Sequence, residues 1–358
     1  MTIDTSKWNK VSFGDVARCL TVATKDPLSE GLERYVGLEH IEPGNIHIKS
    51  WGEVAKGTTF TRVFRKGQVL FGKRRAYQKK AALAEFDGIC SSDILVCEAI
   101  EGKLIPELLP FVVQSDRFFD FAIKTSAGSL SPRTKFKDLA KFSLKLPSKP
   151  DDQKRIADLL WSIDKTIESY AKILNRLSVT YQIELKNMAT IKGNEKKVGD
   201  VAHLHYGDGL REKDRHDGPY LVVGSSGVVG KHIECRVQGP GIVVGRKGSA
   251  GEVLWIDTDF WPIDTTYYVE IKSPKDMNLE YFYYVLKSLD LPSLTITTAV
   301  PGLNRDDVLL KTIKVPGLSV QAKVVERFRS IQLVKEKVNS HILHTKNIQK
   351  QIINQMFG

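Results

Sequence analysis

The spacing of apolar residues changes repeatedly along this chain. Short apolar runs broken by glycine and aspartate occur as "GQVLFG" and "DILVCEA" and again as "GIVVG" and "TTYYVEI". Runs of this length, rich in β-branched and aromatic residues, predict short strands. From Gln153, and again from Val324, apolar residues instead recur at alternating steps of four and three, which is typical of a long helix. The pattern predicts two mixed globules of α/β or α+β class, each followed by a long helix.

The two predicted helices carry apolar seams with the same heptad phase. The stretch "KPDD" precedes the first helix and supplies an aspartate N-cap, and Gly193 ends the helix. One amphipathic helix would only cover its own globule, but two matched helices favour pairing with each other as an antiparallel coiled coil. The predicted seam residues are Ile156, Leu160, Ile163, Ile167, Leu174 and Leu177 in the first helix and Val324, Phe328, Ile331, Val338, Ile342 and Ile352 in the second.

A sixteen-residue segment occurs twice. The first copy, "PRTKFKDLAKFSLKLP", occupies residues 132–147, and the second, "PGLNRDDVLLKTIKVP", occupies residues 301–316. Both copies begin and end with proline, and they align without a gap. Further matches keep the same order: "FGDVA" with "VGDVA", "VLFGKRR" with "IVVGRKG", and Asp93 with Asp264. Such an ordered set predicts a tandem duplication rather than a solenoid, which needs a longer series of short repeats.

The duplication predicts four segments. They are a first globule at 1–149, a central long helix at 150–193, a second globule at 194–318 and a C-terminal long helix at 319–358. If the second helix returns antiparallel to the first, a pseudo-two-fold axis relates the two globules. Duplex DNA has local two-fold symmetry, so such a protein is suited to two half-sites. The half-sites should differ in sequence, because the globules differ in their loops.

Charge and composition favour a nucleic-acid partner. The 358 residues carry a formal net charge of +11, with a pI near 9.3, which favours a polyanion. A basic protein without such a partner is the alternative. The four cysteines form no C-x-x-C pair, which argues against a zinc site of that type. So few cysteines in a long chain fit a reducing cytoplasm. The polar N-terminus and the lack of an apolar run of about 20 residues predict a cytoplasmic protein without a membrane segment.

Basic loops at matching places in the two copies are the candidate DNA-binding site. The loops "GKRRAYQKK" and "GRKGSAG" form one pair, "KTSAGSLSPRTK" and "TITTAVPGLNR" form a second, and "YGDGLREKDRHDG" is a further loop. Lysine and arginine can neutralise phosphates, arginine can pair with guanine, and asparagine can pair with adenine. A solvated surface loop, or turn capping by Ser, Thr and Asn, is the alternative interpretation. The candidate residues are Lys73, Arg74, Arg75, Tyr77, Lys79, Lys80, Lys124, Ser129, Arg133, Lys135, Arg211, Arg246, Lys247, Ser249, Thr298, Asn304 and Arg305.

The two junctions between globule and helix carry a family resemblance. The segments "LKLP…DDQKRIADLLWSID" and "IKVP…SVQAKVVERF", in this order of globules and helices, resemble the specificity subunit of type I restriction–modification systems. The resemblance covers essentially the whole chain. It implies a non-catalytic subunit in which 1–149 and 194–318 are target recognition domains for a bipartite site in double-stranded DNA.

The same resemblance implies protein partners. Two methyltransferase (modification) subunits and ATP-dependent restriction (translocase) subunits are expected to dock around the helices. S-adenosylmethionine, ATP and magnesium are then expected on those partner subunits only. This chain itself is expected to hold no cofactor and no metal.

An enzyme is the alternative class of protein. A DNA methyltransferase should carry an [Asp/Asn]-Pro-Pro-[Tyr/Phe] loop, and the nearest stretch, "DGPY", has one proline too few. A magnesium-dependent nuclease could use Asp264, Glu270 and Lys272, although their spacing is tight. A nucleoside triphosphatase needs G-x-x-x-x-G-K-[ST], which "GIVVGRKGS" does not satisfy. The main hypothesis is a binding protein without catalytic residues, and a methyltransferase or nuclease with fused recognition domains is the alternative hypothesis.

Overall fold

The computed structural model describes residue 6, residues 8–295 and residues 302–357. The chain forms two compact units, one of Met1–Ala171 with Ser340–Gly358 and the other of Lys172–Asn339. Each unit combines one globule with a segment of both long helices. Within the described residues, no helix is both long and apolar enough to cross a lipid bilayer.

The first unit is built from short strands and mostly short helices. Its strands are β1 (Asn9–Ser12), β2 (Ala17–Leu20), β3 (Arg34–Val36), β4 (Gly52–Glu53), β5 (Arg62–Phe64), β6 (Val69–Gly72), β7 (Ala81–Leu83), β8 (Gly88–Cys90), β9 (Ile94–Ala99) and β10 (Ser143–Leu146). Its helices are α1 (Phe13–Val16), α2 (Leu109–Gln114), α3 (Asp116–Lys124), α4 (Phe136–Leu139) and the long α5 (Pro150–Asn187), which continues into the second unit.

The strands of the first unit form one small and two larger sheets. β1 pairs with β10, and the other strands follow the orders β2-β9-β6-β7 and β4-β3-β8-β5. Neighbouring strands are antiparallel except β3 and β8, which are parallel. Helix α3 begins after Ser115, whose Oγ accepts a hydrogen bond from the N–H of Phe118 at 3.3 Å. Phe118 and Phe119 are buried against Phe71 of β6, so the β6–β7 hairpin is held on a packed aromatic core.

The second unit repeats the same plan. Its strands are β11 (Asn194–Lys197), β12 (Ala202–Tyr206), β13 (Tyr220–Gly224), β14 (Gly227–His232), β15 (Gly241–Gly245), β16 (Val253–Ile256), β17 (Phe260–Pro262), β18 (Thr266–Ile271) and β19 (Thr312–Val315). Its helices are α6 (Val198–Val201), α7 (Leu279–Ser288), α8 (Arg305–Leu309) and the long α9 (Leu318–Phe357).

Sheet by sheet, the second unit matches the first. The pair β11–β19 corresponds to β1–β10, and the order β12-β18-β15-β16 corresponds to β2-β9-β6-β7. The remaining sheet, β14-β13-β17, has one strand fewer than its counterpart and keeps one parallel pair, β13 with β17. The predicted duplication of a mixed α/β unit is therefore present in the strand order itself.

The repeated sixteen-residue segment forms the edge where each globule meets its long helix. In the first copy it contains α4 and β10, and in the second it contains α8 and β19. Both strands pair with the strand that opens their own globule, and both are followed by a proline and a long helix. The segment is repeated because each globule joins its first strand to its long helix in the same way.

A buried glutamine fastens each of these junctions. The side chain of Gln153 donates to the carbonyls of Lys103 (3.1 Å) and Pro147 (3.0 Å) and accepts from the N–H of Ile105 (3.0 Å). Gln321 repeats the arrangement: it donates to the carbonyls of Asp276 and Pro316 and accepts from the N–H of Asn278, each at 2.8 Å. These backbone groups would otherwise lack a partner at the start of the helix, so the two glutamines bind globule, junction and helix together.

The long helices pair antiparallel, as predicted. In the first unit, the ring of Tyr170 on α5 stacks on that of His341 on α9 at 5.5 Å. In the second unit, Tyr181 of α5 contacts Phe328 of α9 at 5.3 Å between ring centroids. The later residue on α5 thus contacts the earlier residue on α9. Every predicted seam residue, from Ile156 to Leu177 and from Val324 to Ile352, is buried or half-buried.

The buried face of each long helix is wider than the predicted seam. Ala157, Leu185, Val325 and Ile353 are buried although they lie outside the predicted positions. They belong to the apolar clusters of the two globules, because each helix packs on its globule as well as on the other helix. A second packing partner broadens the apolar stripe beyond the two positions per heptad of an isolated coiled coil.

The N-cap and the C-terminal end predicted for the first long helix were wrong, although the helix begins at the predicted residue 150. α5 begins at Pro150, and Asp151 and Asp152 lie in its first turn rather than at the N-cap. In the first turn their negative charges still interact favourably with the positive end of the helix dipole. The helix ends at Asn187 and not at Gly193. A Cβ on Gly193 would lie 2.6 Å from the nitrogen of Pro316, so this glycine is required by a close approach of two backbone segments.

Candidate nucleic-acid interface

The two basic loops of the first globule lie together. The loop after β6 and the segment before α4 form a bridge between Arg74 and Arg133. The backbone N–H of Arg75 donates to the carbonyl of Pro132 at 2.8 Å, and that of Thr134 donates to the carbonyl of Lys73 at 3.0 Å. Two stretches that are about 60 residues apart in the sequence are thus joined by main-chain hydrogen bonds, which fix where their side chains emerge.

Asp93 orients the arginines of this loop pair. Its carboxylate accepts from Arg133 Nε at 2.8 Å and from Arg74 Nη1 at 3.3 Å, while Arg74 Nη2 donates to the Oγ of Ser131 at 3.0 Å. Burial alone would raise the pKa of Asp93, but the hydrogen bonds and charges of Arg133 and Arg74 outweigh it, so this pKa lies below its usual value. The carboxylate is therefore ionised at neutral pH and holds both guanidinium groups.

The other side chains of the first loop differ in whether they already have a partner within the protein. Lys79 donates to Asp116 at 2.6 Å and Lys80 to the carbonyl of Leu38 at 2.6 Å, so both ammonium groups are held by the protein. Tyr77, in contrast, is 55% exposed at the tip of the hairpin. The chain makes this tight turn with Arg75 and Lys79 in the left-handed region, at φ values of 53° and 52°.

Lys73 has an additional basic neighbour that the sequence did not single out. Burial lowers the pKa of Lys73, and the charges of Arg62 and Arg133 lower it further despite the opposing charge of Asp93. Within the described part of the chain, no carboxylate oxygen lies within salt-bridge distance of the Lys73 ammonium or the Arg62 guanidinium. Arg62 of β5 therefore belongs to the same positively charged surface.

The second globule builds the same loop pair. Lys247 and Gly302 form the bridge that Arg74 and Arg133 form in the first globule, and the N–H of Leu303 donates to the carbonyl of Arg246 at 2.9 Å. Arg246 Nη1 also donates to the carbonyl of Asp264 at 3.0 Å. The backbone frame is equivalent in the two units, and the side chains that it carries are different.

An aromatic side chain takes the place of the carboxylate in the second globule. The guanidinium carbons of Arg246 and Arg305 lie 4.8 Å and 5.1 Å from the centroid of the Tyr206 ring, within cation–π distance. Tyr206 ends β12 and is 48% exposed. Tyr206 is not among the residues predicted from the sequence, although it opens the loop "YGDGLREKDRHDG".

The comparison with known proteins gives the family. A model described as the type I restriction modification DNA specificity domain matches residues 5–179 and again residues 191–345. The two matches together cover most of the chain. The chain belongs to this family. The double match confirms the predicted tandem of specificity domains.

Individual members of the specificity family are distant in sequence and similar in fold. A type I restriction enzyme specificity subunit of Escherichia coli, EcoDI, is 28% identical over 174 residues, which are 46% of this chain and 37% of that protein. The match thus spans little more than a third of the length of that relative. The S subunit of a type I restriction–modification system from M. genitalium superposes with a TM-score of 0.62 at 14% identity, covering 98% of this chain and 96% of that one.

A second solved structure supports the same fold. It comes from a study of complex assembly and conformational transition in a type I restriction–modification system, and it has a TM-score of 0.65 at 17% identity. The alignment covers 98% of this chain and 97% of the other. These likenesses confirm the predicted arrangement of two globules and two long helices as the specificity-subunit fold.

Several candidate residues of this specificity chain are engaged in local structure. Asn304 caps α8, because its Oδ1 accepts from the N–H of Asp306 at 3.0 Å, and Arg211 pairs with Asp214 at 2.6 Å. Lys124, Ser129, Lys135 and Ser249 are exposed. Thr298 lies outside the described residues.

Unsatisfied arginine N–H groups are concentrated in the candidate loops. Among the residues that the structure describes, four buried side-chain polar atoms lack a hydrogen-bond partner, and each is an arginine Nε. They belong to Arg74, Arg75, Arg215 and Arg305. An unpaired buried donor of this kind carries a desolvation cost. In this specificity chain that cost falls on arginines of the candidate loops.

The residues proposed for the alternative nuclease site are directed to other partners. His205 Nε2 and Glu270 Oε2 are 2.6 Å apart, and Lys272 donates to the carbonyl of Gly199 at 2.5 Å. In residues 8–295 and 302–357, no three His, Cys, Asp or Glu side chains form a group that could bind a metal ion. The geometry in this part of the specificity chain does not favour the magnesium-dependent alternative.

Proposed function

We propose that this chain is the DNA-recognition subunit of a type I restriction–modification enzyme and that each globule reads one half of a bipartite duplex site. The observation that carries the proposal is the paired basic loop, built on the same backbone bridge in both globules and furnished with different side chains. Equivalent frames fit two equivalent approaches to DNA, and different side chains fit two different half-site sequences. The net charge of +11 supplies the general attraction for phosphates.

The proposal assigns catalysis to partner proteins. Two methyltransferase subunits and the restriction subunits would dock around the long helices and bring S-adenosylmethionine, ATP and magnesium. This chain would contribute binding and position only. Exposed apolar side chains along the helices, such as Val179, Ile183 and Leu333, are available for contacts of this kind.

An exchange of the first globule tests the proposal. Residues 1–147 are replaced by the corresponding segment of a relative, and the complex with the partner subunits is assayed for its methylated DNA sites. One half-site should change to that of the donor protein and the other half-site should stay. A change in both halves, or in neither, would contradict the assignment of one half-site to each globule. Detectable methylation or cleavage by the purified chain alone would contradict the non-catalytic role.

Asp93→Asn is expected to reduce discrimination at the first half-site. The substitution removes the negative charge that orients Arg74 and Arg133, so we expect preference for the correct half-site to fall about tenfold, or by about 1.4 kcal/mol. Binding to unrelated DNA at low salt should become stronger, because one repulsive charge is lost. Titrations of specific and unrelated duplexes at several salt concentrations measure both effects. Asp87→Asn, which removes a carboxylate paired with Arg65 outside the loop pair, is the control.

A further inference from the structure

One exposed ring contacts both arginines of the second loop pair. Tyr206 lies at the end of β12, Arg246 follows β15, and Arg305 begins α8, so three separate elements meet at this ring. Both guanidinium groups are within about 5 Å of the ring centroid. The contact is specific to the second globule, because the aligned "FGDVA" and "VGDVA" segments place Thr21 of the first globule at the position of Tyr206.

The backbones around the ring are fixed by buried hydrogen bonds. The hydroxyl of the buried Tyr267 donates to the carbonyl of Leu303 at 2.9 Å, and the N–H of Leu303 donates to the carbonyl of Arg246 at 2.9 Å. Tyr267 also packs against Tyr206 at 5.2 Å between centroids. The backbone segments that carry both arginines are therefore anchored. The Tyr206 ring packs on both guanidinium groups, and the carbonyl of Asp264 accepts one further hydrogen bond from Arg246.

The charge balance distinguishes this arrangement from that of the first globule. Asp93 neutralises part of the charge on Arg74 and Arg133, whereas Asp264 contributes only its carbonyl to Arg246. Among the described residues, Asp306 has the one carboxylate within salt-bridge distance of Arg246 or Arg305. Its oxygen lies 3.7 Å from Arg305 Nε, and its side chain is largely exposed. The ring attracts both cations without neutralising them, so their charge remains available to a ligand.

Resting on the function proposed above, we infer that Tyr206 is a positioning residue for base recognition by the second globule. Its ring holds Arg246 and Arg305 in fixed planes, and the remaining N–H groups of the two forks meet acceptors on the second half-site. A fixed guanidinium plane matters because bidentate pairing with guanine needs two N–H groups in the plane of the base. Preorganisation by the ring lowers the ordering cost of binding.

The test compares Tyr206→Leu with Tyr206→Phe in the full chain assembled with its partner subunits, using a duplex library randomised at both half-sites. Tyr206→Leu should weaken binding to the best site about tenfold, or by about 1.4 kcal/mol. It should also flatten base preference at the second half-site and leave the first unchanged. Tyr206→Phe keeps the ring face and should stay within about twofold of the wild type. Thr21→Leu, at the equivalent place in the first globule, should change neither preference.

A double-mutant cycle with Arg305→Gln adds a measurement that a purely structural role of the ring would not affect. If the ring acts through the arginine, the effects of Tyr206→Leu and Arg305→Gln should be strongly non-additive. Additive effects, equal damage by leucine and phenylalanine, or a second half-site that Tyr206→Leu leaves intact would overturn the inference while the proposed function stands. A wild-type complex without any preference at the second half-site would overturn both.

Discussion

Replacing Gln153 with methionine should destabilise the first unit by about 3 kcal/mol. Methionine fills a similar volume, but it leaves the carbonyls of Lys103 and Pro147 and the N–H of Ile105 without partners in a site where the glutamine is only 4% exposed. Each orphaned buried group costs on the order of 1–3 kcal/mol, and partial hydration at the helix start limits the sum. Urea unfolding, monitored by hydrogen exchange of amides within the unit, measures the loss in the free energy of unfolding.

The duplication supplies an internal replicate and a control. Gln321→Met should cause a similar loss in the second unit, since Gln321 makes the same three hydrogen bonds and is fully buried. Gln182→Met, at an exposed position of α5, should change the free energy of unfolding by less than about 0.5 kcal/mol. If Gln153→Met unfolds like Gln182→Met, the junction glutamines are not structural anchors.

The architecture could be predicted because the spacing of apolar residues indicates the long helices and the internal repeat indicates the two similar globules. The heptad steps of both helices need only local sequence, and the ordered matches between the two halves imply one fold used twice. The predicted end of the first helix was wrong because Gly193 serves a different purpose: it lets the chain pass close to Pro316. A close approach between segments that are distant in sequence leaves no local signal except the glycine itself.

The candidate site was predicted as a set of loops and not as a set of contacts. Alignment of the repeat identified the matching basic loops, which the structure brings together through the bridges of Arg74 with Arg133 and Lys247 with Gly302. The alignment also paired Asp93 with Asp264, yet one residue acts through its carboxylate and the other through its carbonyl. The role of Tyr206 depends on three elements meeting in space, which neither charge nor spacing along the sequence reveals.

The first long helix is also joined to its globule by a charged contact. His47 Nε2 lies 2.7 Å from Asp164 of α5, and His47 Nδ1 lies 2.9 Å from Glu85. The hydrogen bond to Asp164 is the main reason that the pKa of His47 is raised from 6.5 to about 9, and the bond to Glu85 adds to it against the opposing effect of burial. His47 is therefore charged at neutral pH and bridges two carboxylates.

The folding stability of the first unit should therefore depend on pH. Because the folded-state pKa of His47 lies above the unfolded value, the contribution is fully present below pH 6.5 and is lost as the pH rises through about 9. A pKa shift of this size corresponds to about 3 kcal/mol. Solvent screening reduces this figure little, because the His47 and Asp164 side chains are only 12% and 9% exposed. Urea unfolding of the wild type at pH 6 and pH 10 should show the loss.

Asp164→Asn isolates this contact. At pH 6 the variant should be less stable than the wild type by about 2–3 kcal/mol, because it removes the main partner of the charged imidazole. At pH 10 the difference should nearly vanish, because His47 is then neutral in both proteins and asparagine can still hydrogen-bond to it. Asp158→Asn, which breaks an exposed pair with Lys154 on the same helix, should have a much smaller effect at both pH values. A wild type and an Asp164→Asn variant whose stabilities differ equally at pH 6 and pH 10 would show that the contact contributes packing alone. The charge on His47 would then have no part in holding α5 on its globule.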